Sequence, residues 1–559
     1  MTRRSVLLIG ATGVFGRRLA QHLSLLDGIQ LIVASRGFDK ATALARQLNS
    51  GGNAVVPMAL DTSADIEHQL AALKAWLVID ASGPFQAASF ATARAAITAG
   101  SHWIDLADAR DYILGFGPAL DALARANGVC ALTGASSTPA LSCAVVESLT
   151  AGWQRVDDIE IAICPGGRGE VGPSVISGIL SYAGRPVAIF DECRAQTATG
   201  WGKPVRRHID GLGARYLSRV ETADDKLLQK RFNVTTRIDF RAGLESRLEH
   251  FGLMAIAFVR AARGRKGWLA DTARVAQWLA RARRITALFA TDSGAMVVKV
   301  SGLDAEGKVA VARWALLAHH GHGPQVPILP ALALTRDLIG RRAEPGARPA
   351  SEDVKLAAIE AEMAPLSIAT SQTKQSKQTA ALFERTLGTA SFSTLAPALR
   401  IFHNDTAVPV WRGRAIIHSP SNFFAWAVRK IIGFPSSAAD APVTVCVERQ
   451  ENSEIWHRQI AAHRFHSTLS LNRHGCVTEQ FGPFRFELGL CWHSGELSMP
   501  VQRWSIAFVR LPRYLAPKSQ TREFQDDAGN FHFDVGITMP LIGLITRYQG
   551  WLRPQPQKL

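Results

Sequence analysis

Three glycines open the chain's chemistry. Val6-Leu-Leu-Ile9 runs into Gly10-Ala11-Thr12-Gly13-Val14-Phe15-Gly16, and a helical pattern follows. A buried strand turning tightly into a helix N-terminus offers free backbone N–H groups to a diphosphate. Gly10 can take the turn's backbone angles, Gly13 lets phosphates approach, and Gly16 lets helix pack on strand. The strand–turn–helix context is what such a glycine triplet needs to count as a nucleotide corner rather than an ordinary βα turn.

The next strand ends Val33-Ala-Ser35-Arg36 and carries no acidic residue to hold an unphosphorylated ribose. Ser35 and Arg36 would instead attract a 2′-phosphate, so NADP(H) is expected over NAD(H). Asp61 follows the third strand, where it can accept the adenine amino group or cap the helix near Ala64. The fourth strand ends Asp80-Ala-Ser82-Gly83-Pro84-Phe85, with Ser82, Gly83, Pro84 and Phe85 expected along the ribose and nicotinamide.

Hydride transfer belongs to such a cofactor, and the protein must orient substrate and manage one proton. Asp105 and Asp108, at and just beyond the fifth strand's end, are the candidate catalytic residues if burial raises a carboxyl pKa. Asp108 can alternatively cap the following helix. His319-His-Gly-His322 has no partner cysteine or carboxylate at ligand spacing, so no metal is expected.

These residues need a scaffold. Strands at 6–9, 31–35, 54–59, 77–82, 102–105 and 129–132 alternate with helical segments, implying a Rossmann-like parallel sheet over residues 1–150. Residues 151–345 are expected to form a mixed α/β unit. Its signals are the alternating 158–164 and a hairpin turning at Asp304-Ala-Glu-Gly307, and the apolar 331–339 should return to the first unit as a helix. Residues 346–379, rich first in Arg, Pro and Gly and then polar and low in complexity, suit a linker. Residues 380–559 carry strand signals at 443–449, 454–460, 464–472, 476–480, 484–490 and 496–509, which predict an antiparallel sheet or partial barrel. Its aromatic residues suit a core, or a curved sheet that holds an apolar ligand.

At 559 residues the chain exceeds one ordinary core. Its net charge of +16 raises nucleic acid or an anionic membrane as partners. The Arg clusters lack any helix-turn-helix, finger or stacking motif, so nucleic acid is not expected. Residues 250–290 carry Arg260, Arg263, Arg265, Lys266, Arg274, Arg281, Arg283 and Arg284 among apolar residues. That pattern fits either a packed helix pair with a solvated face or peripheral contact with an anionic membrane. Seven scattered cysteines without a Cys-x-x-Cys pair predict reduced thiols. Together with the lack of a membrane-length apolar run, they predict a cytoplasmic protein, with the inner membrane surface as the peripheral alternative.

Gly10 to Gly16, Ser35-Arg36, Asp80 to Phe85, Trp103-Ile-Asp105-Leu-Ala-Asp108 and Gly134-Ala-Ser-Ser-Thr-Pro-Ala-Leu-Ser142 occur together and in order. In this the first 345 or so residues resemble the saccharopine dehydrogenase-like family. The resemblance implies an NADP-binding Rossmann domain, a second domain that closes over the nicotinamide and often mediates dimers, and oxidoreductase activity without fixing a substrate. Trp456-His-Arg458, Gly482-Pro-Phe-Arg-Phe486, Phe531-His-Phe-Asp-Val535 and Arg547-Tyr-Gln-Gly-Trp551 resemble a bacterial domain family of unknown function. The expectation is an NADP(H)-dependent oxidoreductase acting on a small substrate, carboxylated or partly apolar. A non-catalytic NADP-sensing or membrane-associated scaffold is the alternative.

Overall fold

The computed structural model describes residues 3–555 except 50–53, 87, 192, 264–271, 341–342, 378–380, 405–409, 421, 451–452, 473–474, 507–508, 513, 515 and 541. The first unit alternates β1 (Arg4–Ile9), α1 (Val14–Leu23), β2 (Ile29–Ser35), α2 (Phe38–Asn49), β3 (Val56–Ala59) and α3 (Ile66–Leu73). It continues with β4 (Leu77–Asp80), α4 (Ala91–Thr98), β5 (His102–Asp105), α5 (Arg110–Ala126) and β6 (Cys130–Thr133). The strands pair in parallel in the order β3-β2-β1-β4-β5-β6. Val6, Leu7 and Leu8 are wholly buried. Helices cover both faces of a parallel sheet, which is why β1 reads as a continuous apolar run and not an alternation. Strand order reverses about β1, with β2 on one side and β4 on the other. A crevice for ligands therefore opens at their carboxyl ends.

The second unit follows α6 (Ser142–Leu149) and contains β7 (Arg155–Cys164) and α7 (Pro173–Tyr182). β7 pairs in parallel with Arg237–Ala242 and antiparallel with Gly294–Leu303, which makes the sheet mixed. Gly294–Leu303 and Val309–Ala318 form the expected hairpin. Gly307 takes φ +73° in its turn, and Asp304 Oδ1 accepts from the Glu306 and Lys308 amides. The helix Leu329–Gly340 returns beside the first sheet, where Arg4 Nη1 donates to the Ile339 carbonyl at 2.8 Å.

Residues 346–379 depart from the linker expectation. Gly346–Pro349 adds a parallel strand beside β6, and Ile368–Lys377 pairs antiparallel with Val309–Ala318. The basic helical region also differs in part from its description as a solvated face. Arg260 is buried and donates to the Leu180 carbonyl at 2.6 Å, and Arg283 donates to the carbonyls of Gly167 and Gly169. Leu248, Phe258, Trp278, Leu288 and Phe289 are exposed on the same helices and the turn after them. Arg265, Lys266 and the Arg284 side chain lie outside the described residues. No helix among the described residues is long and apolar enough to cross a membrane.

The third unit is one antiparallel sheet, thirteen-stranded among the described residues. Val410–His418 lies at its middle, between Ala438–Gln450 and Gly543–Pro554. The sheet curls, so that Val445, Trp456 and Leu469 from one half and Phe533, Val535 and Ile545 from the other line the same interior. The expected strand at 496–509 is three pieces, Glu496–Ser498, Val501–Ile506 and Val509–Arg510. The break at Pro500 allows the first piece to pair with Lys518–Gln525 and the second with Phe484–Leu488.

The reduced-thiol expectation is corrected at one pair. Cys193 and Cys446 form a disulfide linking the second unit to the third, with Cα atoms 6.5 Å apart. The cysteines are 253 residues apart in sequence, a proximity created by the fold that spacing does not reveal. Cys130, Cys143, Cys164, Cys476 and Cys491 are not in disulfides.

Candidate active site

The turn after β1 is built on close backbone approach. Gly10 has φ +72°, and a Cβ there would lie 2.7 Å from Ser82 Cα. A Cβ on Gly16 would lie 2.1 Å from the Gly10 carbonyl oxygen. These glycines therefore hold the corner between β1, β4 and α1 at a spacing that no side chain permits. Gly13 is the N-cap of α1, is exposed, and has no side chain to occupy the helix's first amides. Ala11 and Gly16 are buried, while Thr12, Val14 and Phe15 are half-buried. Ala11 N donates to the Ala34 carbonyl at 3.2 Å, and the Thr12 and Ser35 hydroxyls are 3.3 Å apart, tying the turn to the end of β2.

Arg36 is exposed beside this end. Asp61 lies within electrostatic reach of it, and its carboxyl is held below the usual range first by the Ser63 hydroxyl and amide. Asp61 therefore orders its own turn. The cap of α3 is Asp65, whose carboxylate accepts from the His68 amide. Asp80 is buried at the end of β4 and accepts from the Ser82 amide at 2.8 Å; burial raises its pKa. Ser82 and Pro84 are exposed and Gly83 is half-buried. Phe85 is buried with its ring 5.3 Å from that of Tyr112, as part of the core.

The two candidate aspartates occupy different environments. Asp105 is fully buried and accepts from Trp103 Nε1, the Ala107 and Gly134 amides and the Thr133 hydroxyl, all at 2.8–3.0 Å. Burial outweighs these four donors and pushes its pKa up to about 6. Its oxygens brace β5 against the loop after β6. Asp108 is exposed, although protein atoms crowd round its carboxyl. Its Oδ1 accepts from Gln86 Nε2 at 3.1 Å, and burial raises its pKa. It does not cap α5, whose N-cap is Ala109.

The second unit packs beside Asp108. Glu170 binds Arg17 and Arg18 at 2.8 and 3.1 Å, and a Cβ on Gly172 would lie 3.3 Å from Val14 Cγ2. Gly178 of α7 lies against the Gln86 amide, and Tyr182 at the end of α7 feels the Asp108 charge. Burial first, and then that charge, raise the Tyr182 pKa. Gln86 and Tyr182 are site residues that sequence patterns do not pick out: Gln86 sits in the loop just past the Asp80–Phe85 motif, and only the packing of α7 on the first unit brings Tyr182 to Asp108. His319 and His322 serve as local braces. His319 Nδ1 lies 2.9 Å from the Ser293 hydroxyl, and His322 Nδ1 accepts from the Ser367 amide at 2.7 Å.

Residues 395–552 match the family model described as a domain of unknown function, DUF4166. No curated protein matches the sequence. Among solved structures, the chain is similar to apo saccharopine dehydrogenase (L-Glu forming) from Saccharomyces cerevisiae. The two are 14% identical, over 66% of this chain and all of that one, with a TM-score of 0.46. A meso-dapdh mutant with DAP from Clostridium tetani E88 is 11% identical over 64% of this chain and 96% of that one, with a TM-score of 0.32. GenD2 from gentamicin A biosynthesis, in complex with NAD, is 14% identical over 56% and 72%, with a TM-score of 0.27. At these scores the likenesses carry no weight for activity.

Proposed function

We propose that the chain is an NADP(H)-dependent oxidoreductase whose substrate lies between the first two units. The observation that carries this reading is the corner at Gly10, Gly13 and Gly16, where the open start of α1 meets the end of β1 beside Ser35 and Arg36. The residues present fit a dinucleotide. The amides of Thr12 to Phe15 would hold its diphosphate, Ser35 and Arg36 its 2′-phosphate, and Ser82 to Pro84 its ribose. When bound, the cofactor supplies or accepts a hydride.

The chain's own residues do the rest. Gln86 orients the Asp108 carboxylate, and the crowded environment favours its protonated form, so that Asp108 Oδ can deliver or take the proton that accompanies hydride transfer. Tyr182 and the loop carrying Gly172 wall the site on the side of the second unit. Asp105 holds the Gly134 loop and acts as a positioning residue.

Titration calorimetry with NADPH and NADH tests the reading. Wild type binds NADPH more tightly, and Arg36→Ala weakens NADPH at least tenfold while sparing NADH. Asp108→Asn retains NADPH binding and loses turnover of any carbonyl or imine substrate found by screening. Equal loss of both cofactors in Arg36→Ala removes the case for a 2′-phosphate site, and no heat with either removes the whole reading.

A further inference from the structure

The curled C-terminal sheet holds a site that owes nothing to the cleft above. Its interior contains a cavity of about 130 Å³ walled by side chains such as Val443, Trp456, Leu469, Phe486, Val535 and Ile545. An apolar cavity of roughly 150 Å³ stays dry and takes up benzene, so this one suits a ring or the last six or so carbons of a longer chain whose remainder lies in the adjoining space. The charged groups on its wall already have partners. Arg458 is bound by Glu479 at 3.2 Å and by the Ser467 hydroxyl, and Glu523 pairs with His403 at 2.6 Å. A second charge brought inside would find no free counter-ion among these groups.

The cavity adjoins an outer pocket of about 350 Å³, and Ile432, Phe481 and Phe484 line both spaces. The outer pocket has a different character, with Lys430, Arg464 and His466 around it, all exposed, and no carboxylate among its described lining residues. The helix Phe423–Ile432 forms one side of the doorway. Val428 and Ile432 face the cavity, while Phe423, Phe424 and Trp426 of the same helix are exposed. Opposite it stands the turn Phe481-Gly482-Pro483-Phe484. An apolar space that shares a wall with a cationic rim matches one kind of molecule, with an apolar tail and an anionic head.

We infer that the C-terminal unit binds a single-chain anionic amphiphile, its tail in the cavity between the halves of the curled sheet and its head at Lys430, Arg464 and His466. Ile432, Phe481 and Phe484 form the gate between the two compartments. The inference is independent of any reaction in the cleft, because tail burial and head-group pairing need no cofactor.

The test is calorimetry on the full chain with decanoate, decyl phosphate, decanol and butyrate. Decanoate or decyl phosphate binds, and comparing the two identifies the head as carboxylate or phosphate. Butyrate binds at least tenfold more weakly, for want of a tail. Lys430→Glu combined with Arg464→Glu changes exposed side chains at the loss of one hydrogen bond, Arg464 to Gln196, and it weakens the anionic ligand at least tenfold while leaving decanol unchanged. A gate variant, Phe484→Ala, speeds association. Absence of heat with both anionic ligands overturns the inference, as does binding to wild type that is indifferent to the charge reversals.

Discussion

Asp105 shows how a carboxylate at the carboxyl end of a central strand can be committed to architecture. Four donors surround it, yet burial still raises its pKa to about 6 from an ordinary 3.8. A folded-state pKa above the unfolded one means that the native state binds the proton more tightly. The corresponding stability is fully present below about pH 4 and is lost as pH rises through about 6, an effect on the order of 2–3 kcal/mol. Asp105→Asn should flatten the melting temperature against pH between 4 and 6. It should also lower stability at pH 4 by about 1–3 kcal/mol, because an amide nitrogen would then face a donor. Thermal scans across that range check both effects. The sequence placed Asp105 and Asp108 correctly at a strand's end but could not separate their roles. The difference lies in what encloses each of them, with Gln86 coming from the loop after β4 and Tyr182 from α7 of the second unit.

Among the elements, those with a strong internal signal were legible and those held by neighbours were not. Residues 6–9 of β1 are apolar because both faces are covered, whereas residues 443–450 alternate in sequence although Cys446 and Glu448 on the second face are also buried, against the second unit. Ile368–Lys377 has no such signature. Its side chains over 369–376 are exposed, and its pairing with Val309–Ala318 rests on backbone bonds, so a polar stretch resembling a linker is an edge strand. Gly346–Pro349 is likewise short and ends in proline, a residue that sheets tolerate at their edges. At the β1–α1 corner the contacts are tight enough to predict a mutation. Gly16→Ala places a methyl carbon on the Gly10 carbonyl, so α1 must shift from β1, at a cost of about 1–3 kcal/mol. Denaturant titration should show that loss, and NADPH affinity should fall with it, because the helix carries the amides.

At the scale of the whole molecule, the three sheets are joined by few but specific contacts. Arg237 bridges Asp158 and Glu160 of β7 and reaches Glu448 of the C-terminal sheet at 3.9 Å. Arg194 pairs with Gln459, and Arg464 with Gln196 at 3.3 Å, beside the Cys193–Cys446 link. The basic rim of the C-terminal pocket therefore sits next to the second unit, since Arg464 belongs to both. The overall plan of parallel sheet, mixed sheet and curled antiparallel sheet follows from the order of strand and helix signals. The distances between sheets depend on side chains that meet only after folding.

The path of the chain between 340 and 377 limits how this protein can be dissected. After the Leu329–Gly340 helix it contributes a strand to the first sheet and then one to the second, stitching them like a lace drawn through two eyelets. A fragment stopped at residue 345 would leave both sheets with bare, sticky borders, and should aggregate on expression. One carried through residue 377 keeps both borders covered and should remain monodisperse in gel filtration.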